Sequence, residues 1–125
     1  MAAVFWVAMG GALGAAARHL VNVGLHRFGG MLASTLLVNT LGCLLMGWLF
    51  YRFSVRDIEW WSGQGRSMLA TGFCGAFTTM SALALEVHSM HAQGQTFFAS
   101  GYALLNLALS LVALTIGVGL ARQFS

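Results

Sequence analysis

Charge divides this chain into four apolar stretches. No side-chain charge lies between Met1 and Arg18, between Arg27 and Arg52, between Arg66 and Glu86, or between Glu86 and Arg122. The runs in these gaps predict helices from Ala2 to about Val23, from about Met31 to Tyr51, from about Ser67 to His88, and from about Phe97 to Ala121. A helix rises 1.5 Å per residue, so ~20 apolar residues cross ~30 Å of hydrocarbon. Each run is long enough. The expected fold is an all-α membrane protein with four transmembrane helices, forming one domain over residues 1–125. A secretory signal peptide is the rival reading of the first run. It lacks a basic leader and is followed by a Gly-rich stretch rather than a cleavage site, so it reads as a retained span.

The connections are short. Gly24 to Gly30 joins the first two spans, with Gly29-Gly30 as a turn signal. Arg52 to Arg66 joins the next two and carries Trp60-Trp61, which suit the headgroup interface. His91 to Thr96 joins the last two.

Composition agrees with this pattern. Hydrophobic types make up 58% of the 125 residues and charged types 7%, against about 25% charged in an ordinary soluble domain. Such a chain cannot clothe a soluble surface, which argues against a globular cytoplasmic enzyme. All six basic residues are arginine. They mark loop ends, so the net charge of +3 points to lipid headgroups and a pore-mouth anion, not to nucleic acid. Arg52, Arg56, Arg66 and Arg122 fall on the side of both termini, against Arg18 and Arg27 on the other. This bias leans towards cytoplasmic termini but is small enough to permit insertion both ways.

Small residues recur inside the spans. Gly10 and Gly14 form a G-x-x-x-G pair, Gly42 and Gly47 lie in the second span, and Gly117 and Gly119 end the fourth. They let helix backbones approach closely, in a compact bundle or a tight oligomer. Cys43 and Cys74 stand alone in separate spans and read as small buried hydrophobes.

Polar groups inside lipid are costly and mark contacts or pathways. Arg18 either snorkels to the interface or attracts an anion in a vestibule. Asn39, in mid-span, is either interhelical glue or an amide N–H offered to an anion. Thr71 to Ser81 gathers two glycines and several hydroxyls at mid-membrane depth. That stretch is either a bent continuous helix or a broken one with carbonyls freed for a hard cation. Tyr102, Asn106 and Ser110 lie at i, i+4 and i+8, on one helix face. They are either a polar helix contact or a track for an ion. Glu86, His88 and His91 approach the end of the third span and lack metal-site spacing.

Three segments carry a resemblance: GGALGAAAR at Gly10 to Arg18, T-L-x-V-N-x-x-G at Thr35 to Gly42, and TGFCGAFTTMSALALE at Thr71 to Glu86. Over nearly its whole length the chain resembles the Fluc (CrcB-type) fluoride channel family. The resemblance implies an inverted, dual-topology homodimer in the cell's inner membrane, with two narrow fluoride pores and a third helix broken near its middle. It also implies a structural, untransported sodium ion at the dimer centre, held by the backbone carbonyls of Gly75 and Thr78. Asn39 matches the family's pore asparagine and Arg18 its vestibule arginine. Tyr102, Asn106 and Ser110 fall along its fourth-span polar track. Met80 and Leu83 stand where the family signature has phenylalanines, and Ala82 where it has threonine. In the family those rings turn positive edges to the ion. Fluoride is strongly hydrated, so a dry pore must replace its water with donors or positive edges. Leu83 supplies neither. Met80 is a weak, polarizable substitute, and Phe77, one turn earlier, is a candidate to lend an edge.

The leading expectation is therefore a passive fluoride-selective channel that lowers cytoplasmic fluoride. Met80 and Leu83 motivate an alternative, a weakly conducting or non-conducting partner subunit of a heterodimeric channel. A small exporter of cationic drugs wants an embedded carboxylate, and the first span holds no acid while Glu86 sits towards a span end. No nucleophile–base pair or metal cluster suggests an enzyme.

Overall fold

The computed structural model describes residues 2–55 and 63–124. Trp60, Trp61 and Arg56 lie outside the described residues. The described chain is helical: α1 (Ala2–Leu25), α2 (Gly30–Val55), α3 (a wide π-type helix over Arg66–Cys74 that ends in one α-turn, Gly75–Phe77), α4 (Met80–Ala92) and α5 (Thr96–Gln123). Four stretches are long and apolar enough to cross a membrane, with α3 and α4 together forming the third, Arg66–Ala92. Each helix runs a few residues past its expected end, into the polar flanks. Gly30 (φ +66°) and Gly94 (φ +79°) end two connections in left-handed conformations that glycine adopts without steric cost.

The third span is broken as expected, at Thr78 and Thr79. Thr78 (φ −77°, ψ 159°) and Thr79 (φ −151°, ψ 107°) are extended. The two hydroxyls act in opposite senses. Thr78 donates both its N–H (3.0 Å) and its Oγ1 hydroxyl (2.9 Å) to the Cys74 carbonyl, closing α3. Thr79 Oγ1 accepts the Ala82 N–H at 3.2 Å, opening α4 as a side-chain cap. Glycine takes no part in the break. Gly75 keeps a helical conformation (φ −61°, ψ −35°), and Gly72 serves packing instead. A Cβ on Gly72 would lie 2.6 Å from the Val7 carbonyl oxygen of α1.

The same close approach recurs across the bundle. Gly10 and Gly14 bring α1 onto the backbone of α3 at Met68 and Phe73. Gly47 and Gly117 bring α2 and α5 together at Leu114 and Leu44. Backbone in contact with backbone supplies dispersion in a solvent as apolar as leucine. The large apolar side chains point outward: Phe5, Leu20 and Leu104 are exposed. The interior holds Val38, Leu49, Cys74, Phe77 and several alanines, with six polar residues among them. At one end of the bundle Arg52 lies over the Trp48 ring (5.3 Å) and donates to the Phe124 carbonyl (3.1 Å). Arg122 lies over the Tyr51 ring (5.6 Å). These pairs suit a span end, where an apolar ring body meets a wet cation.

Candidate ion pathway

The buried polar residues are Ser34, Thr35, Asn39, Thr79, Glu86 and Asn106. They come from α2, the break, α4 and α5, and all but Ser34 fall into two hydrogen-bonded groups.

The first group is centred on the break. A continuous helix would return the Thr79 N–H to the carbonyl of Gly75. Here it donates to Asn39 Oδ1 at 2.7 Å. Asn39 Nδ2 donates to the Thr79 carbonyl (3.3 Å) and to Asn106 Oδ1 (3.0 Å). One side chain thus holds both main-chain groups of an extended residue, which lipid would leave unsatisfied at a cost of several kcal/mol. Between glue and ion ligand, the geometry gives Asn39 the first task, since both its donor contacts go to the protein.

The second group is centred on Glu86. Sequence reading puts this residue towards a span end, and the third span does end six residues later, at Ala92; what the structure adds is that the side chain turns into the protomer. Glu86 is 8% exposed. Its Oε1 accepts from Thr35 Oγ1 (2.6 Å) and its Oε2 from the Tyr102 hydroxyl (2.7 Å). Tyr102 has the Leu32 carbonyl as a second acceptor at 3.0 Å. A buried carboxylate needs such donors. With both oxygens already engaged, Glu86 offers little to a cationic drug, so the exporter reading stays weak for a new reason. Nearby, Ser34 donates to Asn22, tying α2 to α1.

Two cavities share Thr79 as a lining residue. One, of about 350 Å³, is lined by Arg18, Asn22, Thr35, Thr79 and Ser81, among others. It brings Arg18 to a polar cavity, as a vestibule requires. The other, of about 290 Å³, is lined by Asn39, Met80, Leu83, Asn106 and Ser110, together with Thr78, Thr79 and several apolar groups. Six of the nine residues expected at a site therefore meet in one cavity, Thr78 among them. Tyr102 is set apart from them, at Glu86. Met80 is 73% exposed, on the outside of the protomer, whereas Leu83 is buried. Phe77, the candidate to lend an edge to the ion, is not on the wall of this cavity. It stacks on Phe73, with centroids 5.6 Å apart and planes at 14°.

Gly75 is exposed, with open space where a side chain would be. Among the described residues, no group of three or more His, Cys, Asp or Glu gathers for a metal. A cation at the break would rely on main-chain oxygen.

Sequence reasoning missed three features. The inward turn of the Glu86 side chain was missed, because a charge near the end of an apolar run reads as facing the interface. Its partner Thr35 is one hydroxyl among many, and nothing in local spacing singles it out. The π-type widening over Arg66–Cys74 leaves no mark in the sequence pattern.

A family model described as CrcB-like protein, Camphor Resistance (CrcB), matches residues 5–118. Among the most similar relatives is a protein of Prosthecochloris aestuarii named fluoride-specific ion channel FluC. It is 40% identical over 124 residues, covering 98% of this chain and 95% of the relative. Relatives of the same name in Paracoccus denitrificans and Hyphomonas neptunium are each 42% identical. The first match covers 93% of this chain and 91% of the relative, the second 94% and 93%.

Proposed function

This chain belongs to the CrcB-like family, and from that premise we propose that it is a fluoride-selective channel that passively exports fluoride across the membrane. It is a multi-pass membrane protein, and its activity is that of a channel and not of an enzyme. Fluoride enters cells as the neutral acid and is trapped inside as the anion. A passive path suffices to release it. The observation that carries the reading is the pair of cavities meeting at Thr79, one holding Arg18 and the other Asn106 and Ser110. A fixed guanidinium draws the anion in, and amide and hydroxyl donors replace its lost water.

We further propose that the working unit is an antiparallel homodimer. Met80, largely exposed on one protomer, then meets a second copy instead of lipid. The Gly75 and Thr78 carbonyls suit a structural sodium ion. Asn39 takes the Thr79 N–H that would have bonded Gly75, and the extended ψ of Thr78 turns its carbonyl off the helix axis. Two carbonyls are too few for a hard cation, and a second copy would supply two more. When bound, the ion contributes a fixed positive charge that joins the two break segments. On this reading Asn39 shapes the cation site indirectly, by keeping the helix from resealing.

Efflux from liposomes tests the function. Vesicles loaded with fluoride and holding the purified protein should release it, and chloride-loaded vesicles should not. Equal release of both anions, or of neither, counts against the reading. Sodium is tested by stability. Exchanging sodium for N-methyl-D-glucamine should lower the melting temperature, by the equivalent of about 2–3 kcal/mol if sodium had been at ~100-fold its Kd. An unchanged melt removes the ion from the assembly.

A further inference from the structure

A third cavity, of about 350 Å³, lies where α1 turns into α2 and is lined by Asn22, Val23, His26, Arg27 and Met31. It borders the Arg18 cavity, with which it shares Asn22 and Met31. The turn beneath it is closed by main-chain bonds. The Asn22 carbonyl accepts the His26 N–H (3.0 Å), and the Leu25 carbonyl accepts those of Phe28 (2.9 Å) and Gly29 (3.1 Å). The last carbonyls of α1 thus find donors in the turn itself, and the chain leaves it through the left-handed Gly30. His26 and Arg27 are therefore presented from hydrogen-bonded backbone rather than from a loose loop.

The wall of this cavity is divided by chemistry. Arg27 brings a permanent cation, His26 a ring N–H and Asn22 an amide. Val23 and Met31 bring apolar surface, and both are exposed, as is Phe28 beside Arg27. Among the described residues the only carboxylate is Glu86, and its two oxygens are taken by Thr35 and Tyr102. Arg27 finds no anion there. The end of a spanning helix lies at headgroup level, where phosphate meets acyl chain. A small hydrated anion has no use for Val23 and Met31, whereas a lipid uses both halves of the wall. We infer that this cavity seats the phosphate of an anionic phospholipid. Arg27 is its charge partner, His26 and Asn22 are its hydrogen-bond donors, and the first chain carbons lie against Val23 and Met31. A guanidinium suits a phosphodiester because its planar fork meets two oxygens at once. A zwitterionic lipid fits less well, since its own ammonium offsets the phosphate.

The test follows melting of the purified protein in detergent as phosphatidylglycerol is added. Phosphatidylcholine and inorganic phosphate are added in parallel at equal phosphorus. A ligand that binds the folded state raises the melting temperature, and phosphatidylglycerol alone should do so. Two variants remove one charge each from opposite ends of the bundle. Arg27→Gln should need about fivefold more phosphatidylglycerol for the same rise. Arg122→Gln should respond as the unmodified protein does. An equal rise with phosphatidylcholine, or equal weakening in both variants, would reduce the effect to general attraction and overturn the inference. An equal rise with inorganic phosphate would assign the cavity to a free anion and overturn the lipid. Fluoride flux does not enter the measurement, so its outcome is independent of the channel reading.

Discussion

Asn39→Ala is expected to cost both stability and flux. Alanine leaves the Thr79 N–H and carbonyl without the amide that holds them. It also leaves Asn106 without the partner of its Oδ1. A buried group stripped of its bond costs about 1–3 kcal/mol, so about 2–4 kcal/mol is expected for the pair of main-chain groups. The chain still inserts, because its spans are unchanged. The Thr79 N–H can then return to the Gly75 carbonyl, which reseals the helix. A loss of 2 kcal/mol in a properly arranged path corresponds to a flux drop of more than about tenfold. The measurement is fluoride efflux per folded protein, beside a thermal melt of the same preparation. Unchanged flux would take Asn39 out of the pathway, and unchanged melting would deny that it braces the break.

The second large effect is expected at Met80. A phenylalanine there carries a positive ring edge into the cavity with Asn39, Asn106 and Ser110. The position has room for it on the cavity side, since Met80 lines that space. Leu83 differs. It is buried although it lines the same cavity, so Leu83→Phe must turn its ring past packed neighbours to reach that space, at a cost of about 1–3 kcal/mol. Met80→Phe alone should therefore raise fluoride efflux, by about tenfold if the ring edge is worth ~1.4 kcal/mol to the ion in passage. Leu83→Phe alone should lower the melting temperature, and the double variant should show both effects. Efflux that does not rise in Met80→Phe would mean that this path does not use ring edges. A silent native chain that conducts only as the double variant would instead favour the partner-subunit alternative.

Much of this molecule was legible before any coordinates. Charge-free runs longer than the bilayer is thick can only be spans, so the number of spans and the short turns followed directly. Gly30 was marked by the chain itself, as part of the Gly29-Gly30 turn between two apolar runs, whereas the left-handed Gly94 was not singled out. The break was legible as a possibility, because hydroxyls in mid-span offer the backbone another partner. Whether they take it depends on what stands opposite. Thr78 and Thr79 stop one helix and start the next because Asn39, forty residues earlier than Thr79, is in place to receive the N–H that the break releases. No local pattern encodes that meeting.

The same division holds at the site. Sequence placed Tyr102, Asn106 and Ser110 on one face of a helix, since 3.6 residues per turn admits nothing else. Tertiary structure gave the three rungs separate partners: a carboxylate, an amide and a cavity. It buried the Glu86 side chain within the protomer, because α2 and α5 bring Thr35 and Tyr102 to its two oxygens. The sequence by itself determined that the chain lies in a membrane and which polar groups go in with it. Only the packed helices decided which of those groups satisfy one another, as Asn39 does for Thr79 and Thr35 and Tyr102 do for Glu86. Hydropathy is a property of segments, whereas hydrogen-bond satisfaction belongs to pairs that only the fold brings within 3 Å.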